Sequence, residues 1–286
     1  MNAIEARALL FSAVEPGSVF WSREIEALGV MEVVQKIRGN GYSDGKHERT
    51  LSVIKNANPE SILDSIRAVD ALFITPESAD WPISVSDLST PPIGLVIKGN
   101  ASALSSSSIA IVGTRNPTNY GVRIAGEFAS GFADREWAVI SGGAYGIDSA
   151  AHKGALIAEG ITIAVLATGV DIHYPAGNAR LFAEITEIGA LVSEVMPGVH
   201  AIPARFLTRN RLIAAISRAT VVVEAAFRSG SLRTARDAAE LMRPVMAIPG
   251  PITSPTSEGC HRLIGERSAE VVTSVADAME FVSAFR

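Results

Sequence analysis

Glycine, hydroxyl and arginine side chains recur after several apolar segments of this sequence, and such residues could hold phosphate groups. The groups are Gly113-Thr114-Arg115, Ser141-Gly142-Gly143-Ala144-Tyr145-Gly146 and Ser229-Gly230-Ser231. Glycine lets backbone amides approach a phosphate closely, and a helix start directs free N–H groups at an anion. Small residues also serve ordinary strand-to-helix turns, so one such loop alone would say little.

A second candidate phosphate site is Arg209-Asn210-Arg211, within the segment Phe206 to Ile213. Guanidinium and amide groups provide planar donors that match phosphate oxygens and base edges. The alternative is a basic helix start whose arginines pair with Glu194 or Glu224.

Aromatic residues make up only 6% of the chain, so stacking of nucleobases would depend on few side chains. Tyr120, Tyr145 and Tyr174 are the candidates, because they belong to the same group of loops. Each could equally be a packing residue with a hydrated hydroxyl.

The charge is distributed unevenly along the chain, whose net charge is −5. The window from residue 205 to residue 243 has a net charge of +5, so the remainder carries −10. Its arginines are Arg205, Arg209, Arg211, Arg218, Arg228, Arg233, Arg236 and Arg243. A local cationic face on an acidic protein suits a focused phosphate site. Some of these arginines could instead simply solvate helix faces.

The common signatures of catalysis and cofactor binding are absent. The segment from Gly113 to Thr118 lacks the G-x-G-x-x-G fingerprint, and neither a P-loop nor a G-x-S-x-G elbow is found. Asp148 and His152 are four residues apart, which favours a helix-surface pair or a helix cap over a catalytic dyad. Cys260 is the only cysteine, and the histidines lack paired ligand spacing. We therefore predict no catalytic residue, no metal and no cofactor.

Six short apolar runs alternate with helical stretches from residue 109 onward. They are Ile109–Val112, Trp137–Ile140, Thr162–Ala167, Leu191–Val195, Val221–Val223 and Val245–Ile248. Continuous apolar strands alternating with helices predict an α/β fold, a Rossmann-like doubly wound and mostly parallel sheet. Glycine follows most of these strands directly or closely, and the carboxyl ends of parallel strands share one edge. Together the loops therefore predict an anion-binding site along this edge of the sheet, here called the rim, better than any one of them does.

The first part of the chain has a different pattern. Residues 1–70 show helical spacing, interrupted at Pro16-Gly17 and over 39–45, which predicts a small helical domain. We interpret residues 71–108 as an extension and linker, with 99–108 as a linker or exposed turn, and residues 109–286 as the Rossmann-like domain.

The composition predicts a soluble cytoplasmic protein. Hydrophobic residues make up 48% of the chain, but no apolar run approaches the roughly 18 residues needed to span a bilayer. Glu5 and Arg7 stand where a signal peptide would need apolar residues, and one cysteine suits a reducing compartment.

The order and spacing of these motifs resemble the DNA-processing protein A (DprA/Smf) family. The resemblance covers roughly residues 80 to 270. It rests on Ile111-Val112-Gly113-Thr114-Arg115, Thr118, Tyr120-Gly121, Ser141 to Asp148, Ala151-His152, Thr168-Gly169, Asp171, Tyr174-Pro175, Asn178, Ser193-Glu194, Arg209-Asn210-Arg211, Glu224-Ala225, Ser229-Gly230-Ser231-Leu232, Thr234-Ala235 and Pro249-Gly250.

The resemblance implies a protein that binds single-stranded DNA without catalysis, protects incoming DNA and helps to load the recombinase RecA in natural transformation. It also implies a homodimer formed through the Rossmann-like domain. In the family the Gly-Ser/Thr-Arg loop and the neighbouring rim bind the DNA backbone, which points here to Gly113, Thr114 and Arg115, then to Ser141 through Gly146, and to Arg209 and Arg211.

The two ends of the chain match the family less well. The helical (SAM-like) N-terminal domain of the family is only loosely matched, and we expect no C-terminal winged helix, which many relatives append.

A competing hypothesis is a Rossmann-like nucleotide-binding protein or nucleotide phosphoribohydrolase in which Glu224 acts on a glycosidic bond. The motif of those enzymes is absent, and we interpret Glu224 as a structural partner for an arginine.

Overall fold

The computed structural model describes residues 1–42 and 45–285. Two positions in the predicted break over 39–45, and Arg286 at the end of the predicted Rossmann-like domain, lie outside the described residues. The chain begins with helices joined by short connections. They are α1 (Ala3–Ala13), α2 (Val19–Leu28), α3 (Val30–Arg38), α4 (Glu48–Asn56) and α5 (Pro59–Arg67).

The N-terminal helices have a hydrophobic core of their own. α1 begins at a capping box, in which the Asn2 side chain accepts from the backbone N–H of Glu5 and the Glu5 side chain accepts from Asn2. Leu9 on α1 and Val33 and Val34 on α3 are fully buried in this core.

One sheet organises the rest of the described chain. Its strands are β1 (Leu72–Ile74), β2 (Leu95–Gly99), β3 (Ser108–Val112), β4 (Ala138–Ser141), β5 (Thr162–Leu166), β6 (Ala190–Ser193), β7 (Ala219–Val222), β8 (Val245–Ala247) and β9 (Glu270–Val271). Their order in space is β1-β2-β6-β5-β4-β3-β7-β8-β9. The pairings are parallel except for those of β2 with β1 and β6. The predicted Rossmann-like, mostly parallel sheet is confirmed.

Helices cover both faces of the sheet, because successive strand residues point to opposite sides. Ile109 and Ile111 of β3 pack in one apolar cluster, whereas Ala110 and Val112 pack in another. The helices between and after the strands are α6 (Asn119–Ala133), α7 (Ile147–Ile157), α8 (Ala179–Ile188), α9 (Pro203–Ile216), α10 (Ser231–Glu240), α11 (Glu258–Gly265) and α12 (Val275–Ala284). The first cluster includes residues of α6, α7 and α12, and the second includes residues of α9, α10 and α11.

The chain reverses its direction of winding beside β3. It proceeds from β3 through β4 and β5 to β6 on one side, then returns through α9 to β7 on the other side of β3. Ligands of open parallel sheets bind outside the carboxyl ends of strands at such a switch point. A ligand site is therefore expected at the loops that follow β3, β4 and β7.

The segment 99–108 was wrongly predicted as a linker or exposed turn. It contains a 3-10 helix, Ala101–Ser105, in which Ala103 and Leu104 are buried, and Ser108 already belongs to β3. The four serines suggested exposure, but the apolar side chains spaced before them fill the core under the sheet.

The division of the chain into domains at residues 70 and 108 stays a prediction. Within the predicted extension, β1 and β2 join the sheet, and a second 3-10 helix spans Ile83–Asp87. A third 3-10 helix, Ala176–Asn178, precedes α8. Among the described residues, no helix has both the length and the apolar character needed to cross a bilayer.

Candidate nucleic-acid interface

A cavity of about 310 Å³, here called the rim cavity, lies at the switch point. The loops after β3, β4 and β7 form its walls together with α9 and α10. The predicted phosphate-binding residues that line it are Gly113, Arg115, Ala144, Arg209, Asn210, Ser229, Gly230 and Ser231. Arg115 and Arg209, which are far apart in the sequence, therefore meet at one site.

Arg115 presents an exposed cation at this site. Its guanidinium carbon lies 5.1 Å from the ring centroid of Phe206 on α9, so the charge stands over an aromatic face. Within the described residues Arg115 forms no ion pair with a carboxylate. Its charge is thus available to a ligand.

Glu224, in the loop after β7, holds the loop that carries Arg115. The backbone N–H of Thr114 donates to the Glu224 carbonyl at 2.7 Å. The hydroxyl and N–H of Thr118 donate to the Glu224 carboxylate at 2.6 and 2.9 Å, and Thr256 donates to it at 3.1 Å. The expectation that Glu224 pairs with an arginine was wrong, because threonine hydroxyls and a backbone amide occupy its carboxylate.

The loop after β4 is mainly a support for the site. Ser141, Gly142 and Gly143 are buried, and the Ser141 hydroxyl donates to the carbonyl of Ile111 on β3 at 2.7 Å. The Asn178 amide donates to the Gly143 carbonyl at 2.9 Å. A Cβ at position 142 would collide with the Arg209 guanidinium, so a larger residue there would displace this group.

The later part of that loop is more accessible. Ala144 and Gly146 are half-buried, and Gly146 precedes the first residue of α7. Ala144 is the residue of this loop that lines the rim cavity, whereas Gly146, and Thr114 in the loop after β3, do not line it. Ile147 N–H donates to the Thr114 carbonyl at 3.1 Å, which ties the loops after β3 and β4 together.

Arg209 lies at the wall of the rim cavity with only 7% of its surface exposed. Its Nη1 donates to the carbonyl of Gly142 at 2.6 Å and also to the carbonyl of Val165. Its Nε is buried and has no partner among the described residues. Burial lowers the pKa of Arg209 to about 10; Asp148 opposes that shift and Arg115 adds to it. The group stays charged at neutral pH and retains an unused donor.

Asp148 and His152 do not form a pair. Asp148 accepts from the backbone N–H of Ala144 at 3.3 Å, and burial raises the pKa of its carboxyl although Arg209 opposes this. His152 is fully buried, its Nδ1 is 2.7 Å from the Thr162 hydroxyl, and burial lowers its pKa to about 3. A histidine that stays neutral and hidden from solvent does not suit general acid–base work at this rim.

Arg211 is not placed on the rim cavity. Its Nη2 donates to both oxygens of Glu194 at 2.6 Å, and its Nη1 donates to the Thr90 carbonyl at 2.9 Å. The alternative of an arginine paired with Glu194 thus describes Arg211. Asn210 does line the cavity, and its amide donates to the Gly230 carbonyl at 3.3 Å.

The segment that leads into α10 forms another wall of the rim cavity and presents hydroxyl groups to it. The hydroxyls of Ser229 and Ser231 lie 2.7 Å apart, and both residues line the cavity with Gly230. Ser231 is the first residue of α10, so this helix start faces the same space as Arg115.

The three candidate stacking tyrosines have different surroundings. The Tyr120 hydroxyl donates to the Pro249 carbonyl at 2.9 Å and its ring packs against the core, as expected of a packing residue. Tyr145 and Tyr174 are about half exposed. The ring of Tyr174 lies 5.4 Å from that of Phe206, which continues the aromatic surface beneath Arg115.

The family model described as DNA recombination-mediator protein A matches residues 72–283. The chain belongs to this family. A putative DNA processing protein DprA of Mycobacterium tuberculosis (strain H37Rv) is 41% identical over 97% of this chain and 74% of the relative. The DNA processing protein DprA of Streptococcus pneumoniae (strain R6) is 41% identical over 70% of each chain.

Solved structures of family members have the same fold. The X-ray structure of DprA from Streptococcus pneumoniae superimposes with a TM-score of 0.85 at 30% identity, covering 98% of each chain. DNA processing protein A from Helicobacter pylori, in a structure described as showing its single-stranded DNA binding mode, matches 74% of this chain with a TM-score of 0.67 at 29% identity. The resemblance to the DprA/Smf family is confirmed, and the matched region contains every rim loop.

Sequence reasoning missed two residues of this site. Phe206 was not singled out, because a lone aromatic beside basic residues has no periodic signal. Asp148 was interpreted as a helix-surface partner of His152 or as a helix cap, although it lines the cavity beside Arg209. Family membership could have pointed to Asp148, which ends the matched Ser141 motif.

Proposed function

We propose that this protein binds single-stranded DNA and that the rim cavity holds its phosphate backbone. The observation that carries the proposal is the meeting of Arg115 and Arg209 in one cavity, where the Arg209 Nε has no acceptor among the described residues. A phosphate oxygen would supply that acceptor and would relieve the repulsion between the two cations. The described binding mode of the Helicobacter pylori relative supports the same ligand.

The remaining rim residues have separate roles in this proposal. Gly113, Ala144 and Asn210, together with Ser229, Gly230 and Ser231, offer backbone and polar groups along the strand's path. Phe206 and Tyr174 offer aromatic faces to unstacked bases, which are worth roughly 1–3 kcal/mol per base. Thr114, Ser141, Gly142, Gly143 and Gly146 shape the loops.

We also propose that the protein acts by binding rather than by catalysis. Glu224, the residue that a phosphoribohydrolase would use, is 2% exposed, and its carboxylate accepts hydrogen bonds from Thr118 and Thr256.

We infer further that the protein protects incoming DNA and delivers it to RecA as a homodimer; the family's description as a recombination mediator supports this role. RecA filament assembly on protein-coated DNA, and the mass in sedimentation, are the measurements for these two steps.

The test of the phosphate site compares Arg115→Ala with Arg135→Ala in fluorescence anisotropy with labelled oligo-dT. Arg135 is exposed and follows the end of α6, at the opposite edge of the sheet, so its loss removes the same charge away from the rim. We expect Arg115→Ala to weaken binding about tenfold, because one charge-assisted contact is lost. Its salt dependence should also fall by roughly one unit of slope.

Two results would contradict the proposal. An Arg115→Ala isotherm equal to that of the wild type would remove the site, and so would equal losses in the two variants. Equal affinity of the wild type for duplex and single-stranded oligonucleotides would remove the preference for single strands.

A further inference from the structure

A second opening, here called the side cleft, adjoins the rim cavity. It has a volume of about 520 Å³ and lies between α9, α10 and the segment 87–90. Leu207 on α9 lines the side cleft and the rim cavity alike, so a strand held at one would pass directly beside the other. The proposed phosphate contacts leave the side cleft unused.

Asp237 on α10 brings an unsatisfied acceptor to the side cleft. The residue is 4% exposed, and its Oδ1 accepts from the Arg233 Nε at 2.6 Å. Its Oδ2 is buried and lacks a partner in the described part of the chain. A buried carboxylate oxygen without a donor is unfavourable, so such an atom in a native structure calls for a ligand or a water.

Arg211 brings an unsatisfied donor to the same cleft. Its terminal nitrogens are used by Glu194 and Thr90, but its Nε is buried and has no acceptor among the described residues. Gly17 stands in front of it with φ of +76°, and a Cβ there would lie 3.8 Å from the Arg211 Nε and 3.0 Å from the Thr208 methyl. The absence of a side chain at position 17 leaves space between this buried donor and the cleft, which both residues line.

The charges of the side cleft disfavour a phosphate. Asp87, Asp237 and Glu240 line it, and each of its two arginines already pairs with a carboxylate. An anion would meet net negative charge here, in contrast to the rim cavity. A neutral group that presents one donor beside one acceptor fits the two unused atoms.

We propose that the side cleft binds the Watson–Crick edge of an unpaired nucleobase, with Asp237 accepting from the base and Arg211 donating to it. This inference rests on the proposed function, since the rim cavity delivers the strand. On that edge every base has a hydrogen-bond donor next to an acceptor; in thymine they are N3–H and O4. A paired base uses the same edge for its partner strand, so the side cleft would select single strands.

The main test uses the wild-type protein and two oligonucleotides of equal length, oligo-dT and oligo-N3-methylthymidine. Both carry the same phosphates, but the methyl group removes the N3–H donor. We expect the methylated strand to bind about tenfold more weakly, because the buried Asp237 oxygen remains without a donor.

The second arm repeats both titrations with Asp237→Asn, using Asp134→Asn as the control. Asp134 is exposed after the end of α6, so the control makes the same chemical change away from the side cleft. The preference for unmethylated DNA should shrink in Asp237→Asn and persist in Asp134→Asn. Thermal unfolding confirms that each variant is folded, and the wild-type comparison does not depend on any variant.

The outcomes separate the two proposals. If wild-type protein binds methylated and unmethylated strands equally, the inference is overturned and the unused atoms bind ordered water only, while the phosphate site stands. The inference also fails if Asp237→Asn keeps the full preference. If unmethylated oligo-dT does not bind at all, the proposed function itself fails.

Discussion

Arg209 and Arg211 lie two residues apart on α9, and their surroundings differ sharply. Residues two apart on a helix point about 200° away from each other, so the two side chains enter different spaces. Arg211 pairs with the carboxylate of Glu194, whereas Arg209 is held by the carbonyls of Gly142 and Val165. The hydrogen bonds of Arg209 go to uncharged groups, and burial raises the pKa of the nearby Asp148 carboxyl, so Arg209 keeps more of its charge for a ligand than Arg211 does.

The same distinction applies to the rest of the arginine-rich window. Arg205, Arg233 and Arg243 each pair with an acidic residue, so with Arg211 half of the eight arginines between residues 205 and 243 are neutralised within the protein. The cationic face inferred from the net charge is therefore smaller than the count of arginines suggests. Arg209, and Arg115 from outside the window, supply the charge at the rim cavity.

The largest effect on stability should come from Arg211→Met. This change leaves Glu194 buried without its cation, and removal of one partner of a buried pair typically lowers the free energy of unfolding by about 3–5 kcal/mol. Denaturant unfolding at neutral pH measures it. Arg180→Ala, which breaks an exposed pair with Glu184, should change stability by less than about 0.5 kcal/mol.

The loss of stability in Arg211→Met should depend on pH in a definite direction. Burial raises the pKa of Glu194 above 4.5, and Arg211 opposes this shift. Without Arg211 the pKa rises further, so the gap to the wild type is largest above the raised pKa of the variant and has already narrowed when the pH falls to 4.5. A gap that stays constant down to pH 3.5 or so would show that Glu194 is not the source of the loss.

An intermediate effect, on stability and binding together, should come from Arg209→Lys. Lysine keeps the charge but cannot bridge two carbonyls with a planar fork, so we expect a loss of about 1–3 kcal/mol in unfolding free energy. Affinity for oligo-dT should fall as well. Arg115→Ala should lower affinity while leaving stability within about 0.5 kcal/mol, since Arg115 is exposed. If Arg209→Lys changed stability alone, Arg209 would be only a support for the loop.

Among the arginines of the window, the smallest effect should come from Arg205→Ala. Arg205 donates to Glu15 at 2.6 Å and to the His200 carbonyl at 2.9 Å, but Glu15 is 67% exposed. Such a pair contributes at most about 1 kcal/mol. DNA binding should remain unchanged, as measured by anisotropy; a tenfold loss would show that Arg205 is also a cation of the site.

Much of the fold could be predicted from the sequence. The six apolar runs from residue 109 onward correspond to β3 through β8, because buried parallel strands must be continuously apolar. The first two strands were not assigned to the sheet. Proline-rich surroundings hid β2, whose pairing partner β6 lies about a hundred residues away, and local pattern contains no information on that contact.

The candidate site was predictable in part. The glycine and hydroxyl loops after β3 and β7 identified the walls of the rim cavity, since their types suit close approach of a phosphate. Which arginines are neutralised by a carboxylate and which keep their charge for a ligand was not predictable. Arg209 and Arg211 look alike in the sequence, and only the positions of Glu194 and of the Gly142 carbonyl separate them.

The sequence by itself determined the family, the parallel sheet and the loops at its carboxyl edge, because these follow from residue types and their order along the chain. The tertiary structure decided which cations are neutralised, and it placed Phe206 beneath Arg115 and opened the cleft beside Asp237. The reason is physical: net charge at a point depends on distances between side chains that are remote in sequence, and only the folded packing sets those distances.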